Sequence, residues 1–247
     1  MNKRYLVTYI AIAMLAYVSV CVTHEVLGHS VMCLAEHGDI TMLTSVYFHC
    51  KNGGILTDLA GPMANLVMGL ICLSALRMTS VPANTRLFLI FAATFHFLWL
   101  AGCLLVSAIA NQSDFAYPLQ ALPIVPIWLG RLGLGILGVV IYIFTIRRLG
   151  QSALPGPLLR SAYFATGLLS CGAALFFAGN VPHAVRDAAL ESFVMSAGLL
   201  VLGRQKHQDP APANFGQVSP GWELASAIGI IGFVATLGKG LVVAGGG

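Results

Sequence analysis

The chain runs in long apolar blocks separated by short polar breaks. A membrane-crossing helix needs about 20 mostly apolar residues, and seven stretches qualify: 5–22, 59–76, 87–110, 121–146, 158–179, 188–203 and 223–243. The sixth is short and carries Glu191. Lys3 and Arg4 precede the first block, as in a signal peptide. The block is longer than the usual h-region of roughly 7–15 residues and no small-residue cleavage site follows, so it reads as a retained helix. The pattern predicts an all-α polytopic fold with about six to seven transmembrane helices.

Two polar breaks stand out. Residues 147–157 mix charge, Gly and Pro, and divide a front part, 1–146, from a back part, 147–247, of unassigned role. Residues 204–221 hold three prolines and are the most soluble-looking stretch. No internal repeat of fixed period is present.

Composition sharpens the class. Of 247 residues 57% are hydrophobic and 9% charged, against roughly 25% charged in a soluble domain. So few charges cannot cover a soluble globule, which excludes a soluble enzyme, a disordered chain and a nucleic-acid binder. The net charge of +4 is spread along the chain and speaks to membrane orientation. With the amino terminus in the cytoplasm, that side holds Lys3, Arg4, Arg77, Arg86, Arg147, Arg148, Arg160, Arg204 and Lys206. The other side holds Lys51, Arg186 and Lys239, with Arg131 inside the fourth block. The positive-inside rule then predicts a cytoplasmic amino terminus in a multi-pass protein, expected in a bacterial cytoplasmic membrane.

Some signals read better as packing. Gly133, Gly135 and Gly138 spell G-x-G-x-x-G in the middle of an apolar block. A dinucleotide fingerprint needs a preceding strand, so small residues for close helix approach are the better explanation and no nucleotide is expected. The six cysteines form no C-x-x-C pair, and most read as apolar fillers of helix interfaces. His37, His49 and Cys50 lack a fourth ligand at useful spacing and read as loop residues.

Chemistry concentrates after the first block, in Thr23-His24-Glu25-Val26-Leu27-Gly28-His29. Ionisable residues at membrane depth mark functional sites. Two imidazoles and a carboxylate within six residues suit zinc, with Glu25 as proton acceptor. Capping of a helix end is the bland alternative. The histidines stand at i and i+5, roughly 140° apart on a regular helix of about 3.6 residues per turn, too far apart to share an ion. A π-bulge near Gly28 restores a common face. Alternatively Glu25 and His29, at i and i+4, form the pair that faces the site.

A third ligand must come from elsewhere. Asp114 follows the third block and suits that role, with Asn111 positioned for a supporting hydrogen bond. His96, inside the third block, reads as a buried hydrogen-bonding residue. Further along, Asn52-Gly53-Gly54 leads into Asp58-Leu59-Ala60-Gly61-Pro62-Met63-Ala64-Asn65. Here Asp58 is expected to cap a helix, Pro62 to occupy its first turn and Asn65 to face inward. A buried asparagine needs partners, from a neighbouring helix or a substrate backbone.

Together the His-Glu…His cluster, the Ala-Gly-Pro-x-x-Asn helix start and the later Asn-x-x-Asp resemble the site-2 protease family of intramembrane zinc metalloproteases over about residues 20–118. The resemblance implies that His24, His29 and Asp114 bind Zn²⁺ and that Glu25 is the catalytic base. It departs from the family in the extra residue between the histidines and in Phe115 where glycine follows the aspartate. The implied activity is hydrolysis of a peptide bond in or near the transmembrane segment of another membrane protein within the bilayer. The alternatives are an inactive relative acting as a membrane binding scaffold, or a metal-ion or solute transporter using the same residues as a transit site.

Overall fold

The computed structural model describes residues 3–78, 80–121, 126–152, 154–204 and 217–242. The first element, α1 (Lys3–Val22), passes without interruption into a π-helical segment, Thr23–Ser30, and then α2 (Val31–Ala35). A hairpin of β1 (Asp39–Leu43) and β2 (Phe48–Lys51) follows, then α3 (Ile55–Ala75) and α4 (Ala83–Ala110). Next come α5 (Ala116–Ala121), α6 (Ile127–Gln151), α7 (Gly156–Ala174) and α8 (Val181–Ala189). A short π-helical segment, Leu190–Val194, leads to α9 (Gly198–Arg204), then α10 (Pro220–Phe233), a third π-helical segment, Val234–Gly238, and β3 (Leu241–Val242).

Proline sets several of the starts. Helices α4, α6 and α7 begin directly after Pro82, Pro126 and Pro155, because proline cannot supply the N–H that a helix interior needs. Helix α4 ends at Asn111, whose φ of 55° is left-handed. Arg131 then donates from α6 to the carbonyls of Ala108 and Ile109 at 2.7 Å each. This cation at the C-terminal end of α4 explains an arginine inside an apolar block.

Among the described residues five helices are long and apolar enough to cross a membrane: Arg4–Ala35, Ile55–Ala75, Ala83–Ala110, Ile127–Gln151 and Pro220–Gly238. This is consistent with a membrane protein. The expected span 188–203 is not one helix, since it breaks into the end of α8, the π-helical segment, a turn and α9. Helix α7 has 19 residues, but Arg160, Ser161, Thr166 and Ser170 leave it more polar than the five. Nor is the fold purely helical. Strands β2, β1 and β3 form an antiparallel sheet in that order, with a bulge between Ile40 and Met42.

The core lies where α1 and α4 meet α3, α7 and α10. Tyr9, Ile12, Phe91 and Leu98 are fully enclosed, and Tyr9 meets Phe91 edge-on at 5.2 Å. Leu224, Ile228 and Ile231 of α10 and Ile136 and Val140 of α6 are exposed, an apolar surface suited to lipid. Within the G-x-G-x-x-G run, Gly138 serves packing: a β-carbon there would lie 2.9 Å from Leu105 and 3.2 Å from the Ala101 carbonyl.

Among the described residues one disulfide is present, joining Cys33 at the end of the first long helix to Cys50 of β2. This corrects the expectation of an apolar filler at Cys33 and of a plain loop residue at Cys50, whereas Cys21, Cys72 and Cys103 are free and buried as expected.

Candidate metal site

The irregularity demanded by the i, i+5 spacing is the π-helical segment Thr23–Ser30. Its i→i+5 bonding brings a residue close to the one five positions on, so both imidazoles leave the same face. His24 Nε2 and His29 Nε2 stand 3.1 Å apart. Both residues are buried, at 3% and 4% exposure, on the side away from exposed Leu27. Gly28 keeps a helical φ, so its part is spatial rather than conformational: it touches the backbone of α3.

Asp114 comes from the turn between α4 and α5. Its Oδ2 lies 3.3 Å from His24 Nε2 and its Oδ1 3.5 Å from His29 Nε2. One donor atom from each of the three residues falls within 4.8 Å of the others, so the group can hold a metal ion. Burial acts to raise the Asp114 carboxyl, but His24 and His29 outweigh it and hold the carboxyl below the usual carboxylate range.

The far sides of the rings are fixed too. His29 Nδ1 donates to the Thr57 carbonyl at 2.7 Å, which leaves Nε2 as a lone pair aimed at the cluster. His24 Nδ1 meets the Asn65 amide nitrogen at 3.0 Å, and Asn65 Oδ1 meets His96 Nδ1 at 2.9 Å. A half-turn of the amide exchanges its ends and frees His24 Nε2 in the same way. Asn65 and His96 therefore hold the His24 ring in place. Phe48 of β2 stacks on His29 with ring centroids 5.2 Å apart, and Trp99 lies 5.4 Å from His24.

The start of α3 differs from its sequence reading. The helix begins at Ile55, so Pro62 is interior rather than in the first turn. Asp58 does not cap the helix. Glu36, just beyond α2, does so: its Oε2 accepts from Gly54 N–H at 2.9 Å, Thr57 N–H at 3.0 Å and the Thr57 hydroxyl at 2.6 Å. Those bonds hold the Glu36 carboxyl below its ordinary range. A β-carbon on Gly61 would lie 2.8 Å from His24 Nε2 and closer still to His29 Nε2. Only glycine fits between the imidazoles and α3.

A cavity of about 300 Å³ opens on the cluster. Glu25, Asp58 and Asp114 line it, together with Asp187 and Glu191 from the back of the chain. Among the described residues, Oε2 of Glu25 and Oε2 of Glu191 are buried without a hydrogen-bond partner. Such oxygens are costly to enclose alone, and a cation beside them offsets that cost, so the donor set fits a metal ion. Asn111 is exposed and ends α4, and the hydrogen bond expected from it to Asp114 is not formed among the described residues. Sequence reasoning missed Asp187 and Glu191; the only signal was a carboxylate inside the otherwise apolar block 188–203.

Comparison of the chain with protein-family models, curated proteins and solved structures returned no match.

Proposed function

We propose that the protein is an intramembrane zinc endopeptidase that hydrolyses a peptide bond in or near a transmembrane segment of a membrane-protein substrate. The observation that carries this reading is the π-helical segment, which aims two imidazoles at one point beside Asp114 and leaves Glu25 buried on the same cavity. Zinc, held by His24, His29 and Asp114, would supply a Lewis acid that polarises the scissile carbonyl and acidifies water. Glu25 accepts the proton of the attacking water and returns it to the leaving amine nitrogen. Trp99 and Phe48 lie against the two imidazoles and keep their rings in place. The inserted residue of H-E-x-x-x-H would favour a non-hydrolytic scaffold if it separated the histidines. Its absorption in the helix supports the hydrolytic reading instead.

The orientation belongs to the same proposal. Disulfides persist in oxidising compartments, and Cys33–Cys50 sits at the end of the first helix that carries the cluster. That supports a cytoplasmic amino terminus and a site opening on the opposite side, as the charge bias suggests.

Purified wild type is compared with His29→Ala and Glu25→Gln for zinc content and for cleavage of a membrane-embedded reporter. The histidine variant is expected to lose zinc and activity, and the glutamate variant to keep zinc and lose activity. Full zinc in both His24→Ala and His29→Ala would end the metalloprotease reading.

A further inference from the structure

A second cavity, of about 340 Å³, lies between α3, α4 and α6. It sits at the other end of the bundle from the His–Asp cluster, because Arg77 follows α3, Arg86 opens α4 and Arg148 closes α6. By contrast Asn65, the end of α4 and the start of α6 approach the cluster end. Leu73, Phe97 and Phe144 give the cavity an apolar wall, and the three arginines line it as exposed cations.

None of the three arginines has a carboxylate partner among the described residues. Arg148 stacks 5.4 Å over the Phe144 ring and reaches Gln151 Oε1 at 3.4 Å, neither of which neutralises it. Three like charges around one cavity repel unless an anion is shared between them. A free anion would answer the charge but leave the Phe97–Phe144 wall against water. A ligand with a phosphodiester head and a hydrocarbon tail answers both.

We propose that this cavity binds an anionic phospholipid, with its phosphodiester among Arg77, Arg86 and Arg148 and an acyl chain along the Leu73, Phe97 and Phe144 wall. In the orientation proposed above the cavity opens on the cytoplasmic leaflet, where anionic headgroups attract basic clusters. The site is separate from the metal cluster and does not depend on catalysis.

The test is native mass spectrometry of the purified full chain in detergent, titrated with dioleoylphosphatidylglycerol, dioleoylphosphatidylcholine or inorganic phosphate. Wild type is expected to bind the anionic lipid at least about 10-fold more tightly than the zwitterionic one. At about 1 kcal/mol per arginine, Arg77→Gln, Arg86→Gln and Arg148→Gln are each expected to weaken binding about 5-fold, and the triple variant about 100-fold. The three side chains are exposed, so the single variants should fold, which elution as a monodisperse species checks. Arg148→Lys should keep most of the affinity. Arg147→Gln, next in sequence but outside the cavity, should keep all of it. The proposal is overturned if the two lipids bind equally, if Arg147→Gln weakens binding as much as Arg148→Gln, or if inorganic phosphate displaces the anionic lipid at equal concentration.

Discussion

Gly28 and Gly61 meet backbone to backbone, and a β-carbon on Gly28 would lie 2.5 Å from the Gly61 Cα. This contact presses the π-helical segment against α3 at the level where the two imidazoles converge. It ties the geometry of the His–Asp cluster to the absence of two methyl groups.

The first prediction follows from it. Gly61→Ala places a methyl against both Nε2 atoms, and overpacking of this kind costs about 1–3 kcal/mol. The variant should fold with a lowered thermal midpoint and bind zinc about 10- to 100-fold more weakly, the range for displaced supporting contacts. Zinc titration by competition with a chelator reads the affinity, and unchanged affinity would show that zinc is not held by these two imidazoles.

Deleting Leu27 tests the π-helical segment. Leu27 is 55% exposed, so its loss removes little packing, and the sequence becomes H-E-x-x-H. A regular helix then presents the histidines at i and i+4 on one face. The deletion variant should keep its zinc, whereas substituting either histidine removes it. Loss of zinc in a folded deletion variant would show that the wider helix is required.

The Cys33–Cys50 bond closes a loop with a sequence separation of 17. Loops of this size gain about 3 kcal/mol from cross-linking in the chain-entropy view. Reduction, or the Cys33→Ser/Cys50→Ser pair, should lower the thermal midpoint and loosen the hairpin that stacks Phe48 on His29. Alkylation before and after reduction, read by mass, should reveal two additional thiols.

The Glu36 cap gives a pH dependence whose sign is fixed. Bonds from the Thr57 hydroxyl and Gly54 N–H hold its folded-state value below the unfolded one. Its contribution is therefore present above the unfolded value, about 4.3 for glutamate, and lost as pH falls through the folded value. Glu36→Gln should lower the thermal midpoint at pH 7, and the gap to wild type should close toward pH 3. A gap that persists undiminished there would assign the effect to shape rather than charge.

Much of the cluster was legible because charge in apolar sequence is conspicuous. His24, His29 and Asp114 stood out for that reason, and the i, i+5 spacing required a distorted helix. What surrounds them was not legible. Glu36 caps α3 from 18 residues upstream of Gly54, a long-range bond that outcompetes the local candidate Asp58. Strands β1 and β3 are too short for an alternating pattern and pair across most of the chain. Cys33 reads as one more apolar helix residue until the hairpin brings Cys50 to it. Glu191 made its block insecure as a span, but only the packing of the back of the chain turns it into a wall of the cavity beside the His–Asp cluster.

Helix α1 is held by α10: Ser226 donates to the Ala11 carbonyl at 2.7 Å and Ser219 N–H to the Thr8 hydroxyl at 3.2 Å. Leu237, in the π-helical segment after α10, accepts from Ser45 N–H at 2.8 Å beside the hairpin. The first pair of residues is separated by 215 positions. At about 5–20 residues per second of synthesis, the helix that carries the histidines waits roughly 10–40 s for its last neighbour. Contacts so distant along the chain form late, so a nascent chain halted before α10 holds His24, His29 and Asp114 while its first long helix still lacks this neighbour. The packing of that helix is thus completed by one that supplies none of the three cluster residues.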